Sequence, residues 1–202
     1  MGKFRIEILD KDFPYEELTE LLHASYKEHL DAGRKYMAAV QTVEDTERRL
    51  DGRLCAVAYN EENKLVACIT GKVYLKGPND KRKWYEDDNI LHIEQMAVHP
   101  DYRDTNILTK MVVKSMKLDF VKSADSWMTD TSVEATNLVN AYVRMGFQIV
   151  DMVSWESTNY YSYVFRKPVK GKKYSDRYTK FRATLSILLC KIRYTKEGKR
   201  RF

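Results

Sequence analysis

Residues 90–108 run Ile90-Leu91-His92-Ile93-Glu94-Gln95-Met96-Ala97-Val98-His99-Pro100-Asp101-Tyr102-Arg103-Asp104-Thr105-Asn106-Ile107-Leu108. Up to Val98 the stretch reads as a largely buried strand. Alternation places His92, Glu94, Met96 and Val98 on one face and Ile93, Gln95 and Ala97 on the other. His99-Pro100 stops it, because proline restricts the residue before it and lacks an N–H. Beyond the polar turn the period changes: Ile107, Leu108, Met111, Val112, Ser115, Met116 and Phe120 recur at three- and four-residue steps, as an amphipathic helix requires.

Upstream, Phe4, Ile6 and Ile8 alternate with charged residues as in a half-buried strand, and Pro14 opens a helix carrying Leu18, Leu21, Leu22 and Tyr26. A shorter helix over 43–51 stops at Gly52. The runs LCAVAYN and LVACITGKVYL, joined by a polar EENK turn, then predict a buried hairpin. Residues 76–88 are nearly all turn formers and charges, which predicts an exposed connection that could overhang a substrate site. Downstream, SWMTDTS reads as a strand, 134–145 as a helix ended by Gly146, and FQIVDMVSW with YYSYVFRK as a closing hairpin. This order implies one α/β domain over 1–167, a mixed sheet with helices on both faces, followed by a basic extension over 168–202.

The chain has 202 residues, 35 Lys and Arg against 29 Asp and Glu, and a formal net charge of +6. Residues 168–202 hold 12 of the basic residues against only Asp176 and Glu197, leaving 23 basic and 27 acidic residues before them. The body is therefore acidic and the extension strongly basic. Within the extension Tyr178, Phe181, Leu185, Leu188 and Ile192 form one apolar stripe at helical spacing. Such a stripe fits packing on the body, a homodimer, a protein partner or an anionic membrane surface. Nothing resembles a zinc finger or an aromatic-rich nucleic-acid reader, so nucleic acid is not an expected partner. Cys55, Cys68 and Cys190 have no metal-type spacing and are odd in number, which suggests neither a metal site nor a disulfide framework and fits a cytoplasmic location. The run Leu185–Cys190 is far shorter than a bilayer span.

The segment Ala97-Val98-His99-Pro100-Asp101-Tyr102-Arg103 followed by a helix resembles the central motif of the GCN5-related N-acetyltransferase (GNAT) family. In that family a strand ends in Val-x-Pro and an Arg/Gln-x-x-Gly-x-Gly/Ala loop opens the next helix. The helix ending Tyr142-Val143-Arg144-Met145-Gly146-Phe147 is similar to the family's Tyr-x-x-x-Gly-Phe. The resemblance implies a GNAT-like mixed, mostly antiparallel sheet flanked by helices, with acetyl-CoA as donor. It implies that Met96, Ala97, Val98, Arg103, Asp104, Thr105, Asn106, Ile107, Leu108 and Thr109 contact the cofactor, its pyrophosphate lying on the loop amides and helix N-terminus, as suits an anion. Asn137 falls where the family often touches pantetheine or adenine. Both loop glycines are replaced here. Asn106 tolerates a left-handed backbone, whereas Leu108 adds bulk where backbone and phosphate approach.

The same resemblance gives Tyr142 the role of general acid to a departing thiolate and a bulge near Val98 that of exposing an amide to the oxyanion. Glu94 is the candidate base, with His92 in reserve. The expected reaction is direct transfer of an acetyl group to a small amine-bearing acceptor. Cys55 and Cys68, in presumed buried strands without a histidine partner, argue against a covalent cysteine route. Two other readings stay open: a catalytically silent relative with an altered coenzyme A loop that binds a partner, and an O-acyltransferase. Ser132 is expected to cap the helix after it.

Overall fold

The computed structural model describes residues 3–75, 89–169 and 176–197, with 176, 178 and 191–197 described as backbone alone. Residues 76–88, the expected overhanging connection, lie outside the described residues. Seven strands are β1 (Arg5–Leu9), β2 (Leu54–Tyr59), β3 (Leu65–Leu75), β4 (Asn89–Val98), β5 (Ser126–Ser132), β6 (Gln148–Ser154) and β7 (Tyr161–Pro168). The helices are α1 (Tyr15–Asp31), α2 (Val43–Leu50), α3 (Ile107–Ser115), α4 (Asp119–Ser123), α5 (Thr136–Arg144) and α6 (Asp176–Glu197). The strands form one sheet in the order β1-β2-β3-β4-β5-β7-β6. Its one described parallel register runs from Ile90↔Ser126 to His92↔Met128 between β4 and β5. The mixed, mostly antiparallel sheet flanked by helices is therefore as expected.

The chain divides into two compact units, residues 1–73 with 93–123 and residues 74–92 with 124–202. In the first, β1 and β3 flank β2 antiparallel, with Leu9 opposite Cys55 and Ala56 opposite Ile69. Alternation sorts their side chains into two layers. Cys55, Val57, Leu65 and Cys68 pack with Leu18, Leu21, Leu22 and Leu50 of α1 and α2. Ala56, Ala58, Val66 and Ala67 pack with Ile107 and Met111 of α3. The step from Ala58↔Ala67 to Tyr59↔Leu65 leaves Val66 as an extra residue, a bulge that keeps Val66 and Ala67 in one layer. The Val66 carbonyl accepts the His99 N–H at 2.9 Å, fixing the end of β4.

Several local features differ from the sequence reading. The helix expected through Phe120 stops at Ser115. Lys117 and Leu118 donate three residues back, to Lys114 and Ser115, so the ladder tightens and breaks before α4. A reciprocal capping box, Thr42 with Asp45, opens α2. Ser132 does not cap α5. Its hydroxyl accepts the Glu134 N–H at 3.2 Å, and the residue preceding the helix is Ala135.

In the second unit β5 pairs with β7 along its length and β7 with β6. Ile90, Met128, Val150 and Val164 form a core. Gly146, at φ 87°, ends α5 in a left-handed turn as expected. The basic helix α6 packs on β6. Thr179 and Ala183 are buried and Ile187 half-buried, while Phe181, Leu185, Leu188 and Leu189 are exposed. Of the apolar stripe read from the sequence, Phe181, Leu185 and Leu188 are therefore not on the face that packs on β6, and the side chains of Tyr178 and Ile192 lie outside the described residues. No helix among the described residues is long and apolar enough to cross a membrane.

Candidate functional site

The first unit brings together most of the residues singled out from the sequence. Along the last half of β4 the two faces alternate as expected, with Gln95 and Ala97 buried and Glu94, Met96 and Val98 half-buried. Gln95, however, has φ 37°, a left-handed backbone inside a strand. That distortion lies three residues before Val98, where the resemblance had implied the bulge. A non-glycine residue held there costs about 1–2 kcal/mol and persists only where surrounding structure over-determines it.

The surroundings that hold it are polar. The Gln95 amide donates to Oε1 of Gln41 at 2.9 Å, and Arg49 donates to the same oxygen at 2.8 Å. Gln41 donates in turn to the Thr46 hydroxyl at 2.6 Å, which also meets that of Thr19 at 2.6 Å. The Gln41 carbonyl meets His23 Nε2 at 2.8 Å. The carbonyl of Met96, next along β4, accepts the Tyr26 hydroxyl at 3.0 Å. Gln41, Thr46, Thr19 and Gln95 are all buried, so this is an interior network tying α1 and α2 to the kink in β4.

Glu94 stands one residue before the kink. Its carboxylate lies 3.2 Å from Nε of Arg53 and 3.4 Å from Nη2, and both side chains are largely buried. The Arg49 guanidinium feels Glu94 as a favourable charge, but burial dominates and draws its pKa below the usual arginine value. The candidate base is thus gripped by one guanidinium and faced by a second.

After β4 the chain turns through Pro100–Tyr102 and reaches α3 by two left-handed residues, Asp104 at φ 63° and Asn106 at φ 58°. Asn106 takes the conformation expected of it. The Thr105 hydroxyl pins the loop to the Tyr102 carbonyl at 2.7 Å. Asn106 makes no side-chain cap, and the first bond of the ladder runs from Lys110 N–H to the Asn106 carbonyl at 3.2 Å. The amides of Ile107, Leu108 and Thr109 therefore precede the ladder and carry the positive end of the helix dipole, a geometry that suits an anion. Ile107 is buried, Leu108 half-buried and Thr109 exposed. The Arg103 side chain turns to α1, donating to Glu28 at 2.8 Å and to the Ser25 carbonyl at 3.1 Å.

The second unit carries the remaining candidates. Tyr142, on α5, is 7% exposed and packs edge-on against Phe147 and at a tilt against Phe165, with ring centroids 5.8 and 5.2 Å away. Asn137 lies in the first turn of the same helix and is exposed. His92 Nε2 is 4.0 Å from Asp130 Oδ1, and the other oxygen of Asp130 accepts the Trp155 indole N–H at 3.0 Å. Glu94 and Tyr142 thus belong to different units. The sequence had no signal for the Gln41 network or the Arg53 partner, since neither follows a period or a motif.

The two cysteines read as lying in buried strands do so. Cys55 and Cys68 are fully buried, their thiols donating to the carbonyls of Ala56 at 3.7 Å and Gln95 at 3.5 Å, and the neighbouring Cys68 thiol with the loss of water pushes the Cys55 thiol well above its usual pKa.

A family model for acetyltransferases of the GNAT family matches residues 7–147. No curated protein matches the sequence. Among solved structures the chain is similar to the PaiA N-acetyltransferase of Thermoplasma acidophilum in complex with coenzyme A, with 14% identity, TM-score 0.61 and coverage of 81% of this chain and 99% of that one. It is similar to Arabidopsis thaliana NAA60 in complex with acetyl-CoA, with 15% identity, TM-score 0.57 and coverage of 84% and 100%. It is also similar to PH1933 of Pyrococcus horikoshii OT3, with 17% identity, TM-score 0.60 and coverage of 84% and 100%. At such identities these likenesses speak for the shared fold. The family match spans well over half of the chain, and on it the protein belongs to the acetyltransferase (GNAT) family.

Proposed function

We propose that this chain transfers an acetyl group from acetyl-CoA to the amine of a small acceptor by direct attack. The observation that carries this reading is the uncapped start of α3, entered through left-handed Asn106 directly after β4. In a GNAT chain such a terminus is suited to a pyrophosphate. Solved relatives in complex with coenzyme A or acetyl-CoA support the same donor. When bound, acetyl-CoA would supply the activated thioester.

The proposed roles follow residue by residue. The amides of Ile107, Leu108 and Thr109 hold the pyrophosphate, and the loop Arg103–Asn106 shapes the approach. Arg103 adds charge after releasing Glu28, a half-exposed pair that a polyanion can displace. Met96, Ala97 and Val98 contribute the strand edge, and an amide near Val98 stabilises the oxyanion. Asn137 contacts the pantetheine or adenine part. Glu94 takes the proton of the attacking amine, with Arg53 as its positioning residue, and Tyr142 holds the proton that the departing sulfur receives. Three free cysteines, two of them fully buried, support a reducing, cytoplasmic setting.

A second choice of base rests on a specific observation. Glu94 is engaged by Arg53, whereas His92 Nε2 stands 4.0 Å from the Asp130 carboxylate, too far for a hydrogen bond but near enough to attract the ring once it has taken up a proton. The two are separable by thiol-release kinetics with a panel of amines and alcohols. If Glu94 acts, Glu94→Gln lowers kcat at least a hundredfold while His92→Gln keeps it within threefold, in line with the usual contribution of a base of roughly 10²–10⁴. The reverse ranking assigns the role to His92. Transfer to alcohols alone would make the enzyme an O-acyltransferase. Absence of acetyl-CoA binding would favour a silent binding protein.

A further inference from the structure

We propose that α6 is a docking helix for an anionic lipid surface, lying flat in the headgroup layer. The helix attaches to its own unit by small residues, Thr179 at 3% exposure and Ala183 at 6%, on the face toward β6. Four large apolar side chains face away, while Ile187 is half-buried. Phe181 is 65% exposed, Leu185 39%, Leu188 52% and Leu189 49%. Positions 181, 185, 188 and 189 are separated by four, three and one residues, so at 100° per residue they share one arc of the helix. An isolated apolar residue at a surface needs no explanation, but four on one face of one helix mark an interaction site.

Charge selects the occupant. Exposed Arg177 and Lys180 lie on the same helix as the stripe, and residues 168–202 as a whole hold 12 basic residues against two acidic ones. A second copy of this face would set that excess of positive charge against an identical one. An apolar stripe with basic flanks is instead complementary to acyl chains beneath anionic headgroups. The helix is not apolar enough to cross the bilayer, so it lies on the surface. This reading does not depend on the acetyltransferase assignment.

The test is co-sedimentation of the full chain with vesicles, one set of equimolar phosphatidylserine and phosphatidylcholine and one of phosphatidylcholine alone. The native chain should partition at least tenfold better to the anionic vesicles, and high salt should reduce the difference. The Phe181→Ser/Leu188→Ser variant should lose at least tenfold of that binding. Its far-ultraviolet circular dichroism and unfolding midpoint should match the native chain, because both residues face outward. Arg177→Gln/Lys180→Gln should weaken binding to anionic vesicles only. Equal binding to both vesicle sets, no binding to either, or undiminished binding by a folded Phe181→Ser/Leu188→Ser variant would overturn the proposal. So would light scattering that shows a dimer dependent on Phe181 and Leu188 in a chain that ignores vesicles.

Discussion

Replacing Gln41 with leucine removes the hub of the network behind β4 while nearly keeping the side-chain volume. Gln41 is 1% exposed, and its amide accepts from Gln95 and Arg49 and donates to Thr46. In Gln41→Leu the buried Gln95 amide N–H loses its acceptor, and its own oxygen already lacks a hydrogen-bond partner. A buried donor left unpaired costs about 1–3 kcal/mol. The Arg49 guanidinium loses a charge-assisted bond, which adds about 1 kcal/mol once water reaches the partly open site. Thr46 keeps its bonds to Thr19 and to the Thr42 carbonyl, so little is lost there. The sum is about 2–4 kcal/mol, read as a shift of the urea midpoint at constant slope. The network also holds Gln95 at its positive φ, so acetyl-CoA affinity measured on the folded variant should fall as β4 relaxes. A loss of stability under about 0.5 kcal/mol, the size of an ordinary surface substitution, would refute the claim that this network maintains the kink.

Two further outcomes follow from the same chemistry. His29 is buried against Tyr36 and meets Arg34 at 3.0 Å, and burial first, then the Arg34 charge, lowers its pKa below the usual 6.5. The unfolded chain therefore binds this proton first on acidification. The stability that neutral His29 contributes is complete above 6.5 and is lost as pH falls through the lower folded-state value, and His29→Gln should flatten that part of the stability profile. A thiol reagent should label Cys190 in the native protein and reach Cys55 and Cys68 only on unfolding, since both are fully buried. Rapid labelling of three thiols in the folded state would contradict the packing of β2 and β3.

The parts of the fold legible in the sequence were those written in local periods. The change from period two to helical spacing across His99-Pro100 marked β4 and α3, and Gly52 and Gly146 marked helix ends. The left-handed backbone at Asn106 was readable from residue type, because asparagine tolerates it. The same logic gave no warning at Gln95, which adopts a positive φ through a contact with Gln41, 54 residues away in sequence. Arg53 with Glu94 and Arg103 with Glu28 are likewise long-range pairings between exposed-looking residues, and no spacing rule anticipates them. For α6 the period announced an apolar face but not which side would meet β6. Small Thr179 and Ala183 are buried and allow close approach, which leaves Phe181, Leu185, Leu188 and Leu189 outside.

The reading of α3 as the anion site is exposed most directly by calorimetric titration of acetyl-CoA into the native chain and into Thr109→Glu. Thr109 is exposed in the first turn of α3, where a carboxylate favours the helix dipole and should leave the unfolding midpoint unchanged or raised. The same charge opposes a pyrophosphate. Micromolar binding by the native chain, weakened at least tenfold in a Thr109→Glu variant of undiminished stability, is the expected result. Equal affinity in the two proteins, or no binding by the native chain, would contradict the assignment of this helix terminus to coenzyme A.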